Sequence, residues 1–184
     1  MLLSGSLPAD VQVRPLIARH DQRGVLFELS RNSWEGAVPV AQWNALQSQA
    51  GVLRGMAVHC ENTDVYLALE GRALLGLADL RSDSPSFRAR CVVELDAKSP
   101  LAVTIPVGIA HGLYFETDAL VLAALSRRFD AEDKLGCCWD DPWLAIPWPS
   151  ISPRVLARDQ HWPSAKQLVE QVSARLAAAK AADC

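Results

Sequence analysis

Nowhere in these 184 residues is there a run of basic side chains, a pair of cysteines at CxxC spacing, or an apolar stretch of about 18 residues. The balance of 18 Lys+Arg against 21 Asp+Glu gives a net charge of −3, so the electrostatic footprint of a nucleic-acid binder is missing. A small anionic ligand held by two or three arginines remains compatible with it. The five cysteines, Cys60, Cys91, Cys137, Cys138 and Cys184, are an odd number and include an adjacent pair. They suggest neither a disulfide framework nor a zinc knuckle, and a reducing cytoplasm is the expected setting. The first residues, Met1-Leu2-Leu3-Ser4-Gly5, carry no basic segment and too short an apolar run for an export signal. No membrane association is expected.

What is present is a globular composition, 50% hydrophobic and 21% charged, long enough to bury a core without staples. No repeat, low-complexity segment or flexible linker divides it, so one domain over residues 1–184 is expected. From residue 51 to 128 short β-rich segments follow one another between turn residues, at 52–59, 65–69, 73–80, 87–95, 101–105, 113–115 and 120–126. Strands in such number without intervening helices predict a sandwich or barrel. Two further extended pieces, 11–17 and 25–29, flank a polar turn at 19–24. Segment 87–95 alternates apolar and polar residues and predicts a strand with one wet face; 120–125, apolar throughout, predicts burial on both. Between 136 and 163 four Trp and several Pro predict an irregular wrap in which the tryptophans pack. Only the tail changes period: Ser164 and Gln167 form a capping-box pattern, and Leu168, Val169, Val172 and Leu176 recur at helical spacing, predicting a helix over 164–182.

Two stretches place Gly, Pro and His at fixed offsets. Gly51 is followed by Ala57, His59, Asp64 and Gly71; Pro106-x-Gly108-x-x-His111 opens a later strand. Residues two apart on a strand share a face about 7 Å apart, so 57 and 59 look the same way and His111 can converge on them from another strand. Both spacings resemble the signature motifs of the cupin jelly roll, with Ala57 where the first motif carries a His.

Within that superfamily the chain resembles the dTDP-4-dehydrorhamnose 3,5-epimerases. The resemblance rests on nine collinear pieces: Asp21-Gln22-Arg23-Gly24 with Glu28; Gln42-Trp43-Asn44; Gly51-Val52-Leu53-Arg54-Gly55; Glu70-Gly71 leading to Asp79-Leu80-Arg81; Ser84-Pro85-Ser86-Phe87; Ile105 to Gly112; Trp139-Asp140-Asp141-Pro142; Trp148-Pro149; and Leu156-Ala157-Arg158-Asp159. It implies an all-β cupin jelly roll with N-terminal strands and a C-terminal helix, assembled as a homodimer. It also implies a nucleoside-diphosphate-linked 4-keto sugar as ligand and no cofactor. Epimerisation removes a proton α to the ketone and returns it on the other face, which calls for a base, a group holding the enolate oxygen, and an acid opposite the base.

Carried over by position, the family's base His falls on Ala57, its Lys on Asp64 and its acid Tyr on Ala123. His111, Asp159, Arg23, Arg54, Gln42, Asn44 and Glu28 match. Three readings stay open. In the first, an epimerase or isomerase uses His59 as a shifted base, oriented by Asp159, with His111 polarising the ketone and Arg23, Glu28, Gln42, Asn44 and Arg54 binding substrate. In the second, a pseudoenzyme binds the nucleotide sugar without turning it over. In the third, His59, Asp64 and His111 hold a divalent metal, two imidazoles and a carboxylate being a suitable donor set. Arg54 has a bland alternative as a pair with Glu28 or Glu61. Asp140 and Asp141 read as turn residues, and His20 and His161 as surface histidines.

Overall fold

The computed structural model describes residues 1–31 and 33–182, with the side chains of Lys134, Arg158, Lys180 and Ala182 left aside. The strands are β1 (Leu2–Gly5), β2 (Gln12–Pro15), β3 (Ala18–Asp21), β4 (Gly24–Phe27), β5 (Gln42–Ser48), β6 (Leu53–His59), β7 (Asp64–Glu70), β8 (Arg72–Asp79), β9 (Arg90–Asp96), β10 (Leu101–Ile105), β11 (Ile109–Phe115), β12 (Ala119–Leu125) and β13 (Lys134–Gly136). A 3-10 turn at Ala157–Gln160 precedes helix α1, Ala165–Ala182. Cys184 lies outside the described residues.

Two antiparallel sheets, ordered β1-β9-β8-β11-β6-β13 and β2-β10-β7-β12-β5, face each other, and a separate hairpin pairs β3 with β4. This is the cupin jelly roll. Its inner core gathers Leu75, Leu77, Val93 and Leu95 from one sheet and Val103, Ile105 and Val121 from the other, with Phe115 fully buried among them. Each such side chain contributes about 1.5–3 kcal/mol by leaving water.

A second apolar cluster covers the outer face of the six-stranded sheet. Met56, Val58, Leu74 and Val92 pack there against Leu144, Ile146 and, from the helix, Leu168 and Val172. That layer corrects the wet face expected of 87–95: Val92 is buried beneath it, and the strand begins only at Arg90. Arg88, in the turn before it, has φ 67° and its guanidinium lies over the Trp143 ring. The capping box appears in part, Gln167 Oε1 accepting from the Ser164 N–H at 3.0 Å. Asp141 completes the cap by accepting from the Ala165 N–H at 2.7 Å, a role beyond its turn.

Three strands beyond those expected flank the roll, and one refines the turn at 19–24, whose first half is β3. Strand β5 escaped because its half-buried face is Gln42, Asn44, Leu46 and Ser48, mostly polar, so no hydrophobic alternation marks it. β1 and β13 are edge strands of four and three residues, too short for a periodic signal.

Candidate active site

One end of the roll is filled and the other is open. Where β6 and β11 face β7, β12 and β5 the inward residues turn small or polar, and a cavity of about 920 Å³ including its mouth remains. Ala57, Gly112 and Ala123 contribute to its walls. In register, Ala57 lies opposite His111 on one sheet, while Asn44, Ala123 and Tyr66 form a row across the other.

Arg54 and Ala57 both line this cavity although three residues apart, which strict alternation forbids. A register shift between β6 and β11 resolves it, since His111 to Leu113 spans two residues against three from Ala57 to Arg54. The extra residue is accommodated at Gly55, whose φ is 125° and where a Cβ would stand 2.7 Å from the Gly112 Cα. Gly108, with φ 80°, closes the turn into β11 against the Arg81 side chain and so sets the register that delivers His111.

At the cavity's inner end His59, Asp64 and His111 meet, all buried. His111 Nε2 stands 3.2 Å and His59 Nε2 3.8 Å from Asp64 Oδ2. His111 Nδ1 lies 3.1 Å from the Ile109 carbonyl, a contact that fixes its ring with Nδ1 protonated. His59 Nδ1 faces Asp133 Oδ2 at 3.4 Å, within ion-pair reach but without hydrogen-bond alignment. Asp133 is itself locked by the N–H groups of Cys60 and Glu61, at 2.8 and 3.1 Å, and of Asn62. Burial alone would raise its carboxyl; His59 and those N–H donors outweigh this and hold it below the usual range.

The orienting carboxylate is therefore a correction. Asp133 occupies the place expected of Asp159, which lines the cavity from the 3-10 turn and accepts from Trp162 Nε1 at 3.2 Å. Trp162 also lines the cavity, an exception to the packing role of Trp148, whose Nε1 donates to the Trp139 carbonyl.

Arg54 sits at the cavity wall, exposed, with Nε donating to Ser48 Oγ at 2.8 Å. It pairs with neither Glu28 nor Glu61, which hold Arg31 and Arg127 instead. Gln42 braces Asn44 by donating to its Oδ1 at 2.9 Å. Arg23 and Glu28 are not among the residues lining this chain's cavity. Arg23 lies in the β3–β4 hairpin, 89% exposed and paired with Asp21.

His20 and His161 are exposed, as expected. The thiols of Cys60 and Cys91 are pushed up to about 11 by burial, which leaves them small inert apolar groups.

Asp133 and Tyr66 are the site residues that sequence reasoning missed. No local spacing links Asp133 to His59, 74 positions earlier. Tyr66 did carry a signal, since it follows Asp64 by two on one strand and must share its face.

A jelly roll with small side chains and a buried imidazole–carboxylate cluster at its open end defines a cupin with a polar ligand pocket. The chain belongs to the dTDP-4-dehydrorhamnose 3,5-epimerase family, whose profile matches residues 8–167. A dTDP-4-dehydrorhamnose 3,5-epimerase of Sinorhizobium fredii is 28% identical over 158 residues, 80% of this chain and 81% of that one. One from Streptomyces griseus is 32% identical, covering 80% and 78%. Among solved structures, NovW, a 4-keto-6-deoxy sugar epimerase from the novobiocin biosynthetic gene cluster of Streptomyces spheroides, superposes with a TM-score of 0.85 at 25% identity. That match covers 94% of this chain and 92% of NovW.

Proposed function

We propose that the chain epimerises a nucleoside-diphosphate-linked 4-keto deoxysugar, using His59 as the base in place of the residue lost at Ala57. The observation that carries this is the His59–Asp133 pair, buried at the inner end of a cavity that has Arg54 on its wall. An imidazole backed by a fixed carboxylate takes up a proton and is stabilised as the imidazolium, the pairing an α-deprotonation uses. His111, oriented by the Ile109 carbonyl at its Nδ1 and facing the same cavity, is placed to polarise the ketone, a role that needs a proton on its Nε2 as well. Arg54, with no carboxylate partner among the described residues, meets the diphosphate. Gln42 and Asn44 position the sugar, and Asp159 with Trp162 closes the wall beside it.

The proposed assembly is a cytoplasmic homodimer. Cys60, Cys91, Cys137 and Cys138 are free thiols, in keeping with a reducing compartment. The β3–β4 hairpin has no buried residue and leaves Ile17, Val25 and Leu26 exposed. A two-stranded ribbon is marginal alone in water, so it gains stability by docking on a second copy. There Arg23 and Glu28 would complete the partner's ligand site.

A second reading has its own observation. The donor atoms of His59, Asp64 and His111 lie within 4.8 Å of one another, and Asp64 Oδ1 has no hydrogen-bond partner. Two nitrogens and an oxygen at that spacing suit a divalent ion, with Asp133 behind His59 as outer support. Such an ion would polarise the ketone oxygen.

The test is incubation of the protein in deuterated water with dTDP-4-keto-6-deoxyglucose. The expected result is deuterium at a carbon next to the ketone, abolished in His59→Ala. Tight binding of the sugar nucleotide with no exchange would leave a pseudoenzyme and refute the catalytic reading.

A further inference from the structure

Inversion needs more than a base. His59 lies on one sheet, and a proton it removes and returns by itself restores the starting configuration. An acid must stand on the opposite wall. Resting on the reading that His59 deprotonates the sugar, we propose that Tyr66 is that acid and delivers the proton to the other face of the enolate.

Tyr66 is on β7, in the sheet facing β6, and lines the cavity beside the Ala123 methyl with which it is in register. Its ring lies 5.7 Å from that of His111, which lies 5.5 Å from that of His59, so His111 stands between base and acid. The Tyr66 hydroxyl makes no hydrogen bond to any described residue. A phenol at a cavity wall with no internal partner is available to a ligand.

The other protic groups are committed elsewhere. His111 shares the base's sheet. Asp64 sits between the two imidazoles, and Asp159 accepts from Trp162.

The step balances without a co-reactant. His59 takes the α-proton, and the C–H electron pair becomes the enolate. The enolate carbon then takes the Tyr66 hydroxyl proton as the ketone re-forms, leaving phenolate and imidazolium. Exchange with water returns a proton to Tyr66 and removes one from His59 before the next turnover.

The experiment follows two readouts, solvent deuterium at the α-carbon and the configuration of recovered sugar. Wild type is expected to show both exchange and inversion. Tyr66→Phe is expected to keep exchange within a few-fold while inversion falls about 10²-fold or more. Unchanged inversion in Tyr66→Phe, with wild type active, would overturn the assignment of Tyr66 alone. Absence of exchange in wild type would overturn the reading of His59 and this proposal with it.

Should Tyr66→Phe fail to fold, Tyr66 can be altered without losing its ring. The chain has two tyrosines, and Tyr114 packs in the outer cluster. In Tyr114→Phe grown on 3-fluorotyrosine, the proposal expects the inversion rate to change while the exchange rate holds. Equal effects on both rates, or on neither, count against it.

Discussion

His59 Nδ1 stands 3.4 Å from Asp133 Oδ2, bringing the end of β6 beside a residue 74 positions away that caps three successive N–H groups of the β6–β7 turn. The carboxylate fixes the turn and the imidazole together. Asp133→Asn should lower kcat for α-proton exchange by about 10²-fold, leaving KM nearly unchanged, since the residue acts through His59 and touches no substrate. It should also cost about 1–3 kcal/mol of stability through its backbone donors. A variant that loses stability but exchanges at the wild-type rate would remove Asp133 from the mechanism.

Arg54→Ala should weaken thymidine diphosphate binding about 10- to 100-fold by calorimetry, because its charge meets the diphosphate in ground state and transition state alike. Arg23→Ala should do the same if the hairpin serves the neighbouring subunit. Mixing Arg23→Ala chains, at substrate concentrations too low to saturate them, with inactive His59→Ala chains, unfolded and refolded together, then yields some dimers with one intact site. About a quarter of wild-type activity is expected from random pairing with independent sites; no recovery would show that Arg23 acts within its own chain or not at all.

If proton transfer is the chemistry, dialysis against EDTA should leave the exchange rate unchanged. Protein purified without a His tag should then carry under about 0.1 equivalent of metal per chain. Stoichiometric iron, manganese or zinc, with activity lost on chelation and regained on adding it back, would favour the metal reading instead.

Asp79 gives a pH test of the fold apart from the site. It is fully buried, and burial would raise its carboxyl. The bonds from Arg81, Ser86 and Ser84 more than offset this, leaving it below the ordinary 3.8. A lowered folded value contributes stability that is complete above about pH 4 and disappears as pH falls through that lowered value. Urea titrations from pH 7 to 2 should show that acid slope, and Asp79→Asn should flatten it while costing about 3 kcal/mol at pH 7. An unchanged slope would place the acid sensitivity elsewhere.

An all-β sandwich or barrel was legible because its strands announce themselves by composition and turn punctuation, and the motif resemblance made it a jelly roll: 101–105 matches β10 residue for residue, and the helix begins one position after its predicted start. Elements whose inner face is polar were not legible. β5 turns Gln42, Asn44 and Ser48 to its half-buried face, with Asn44 lining the cavity, so the hydrophobic alternation that marks a strand is absent there.

The sequence by itself, through motif spacing that resembles the cupins, placed His59, Asp64 and His111 on strands able to face one cavity. Only the tertiary structure decided which carboxylate stands beside His59 and which phenol ring stands beside His111. Asp133 reaches His59 through a return of the chain that no local spacing encodes. Tyr66 comes beside His111 only because two sheets pack face to face, and the distance between sheets is set by the whole core rather than by any motif.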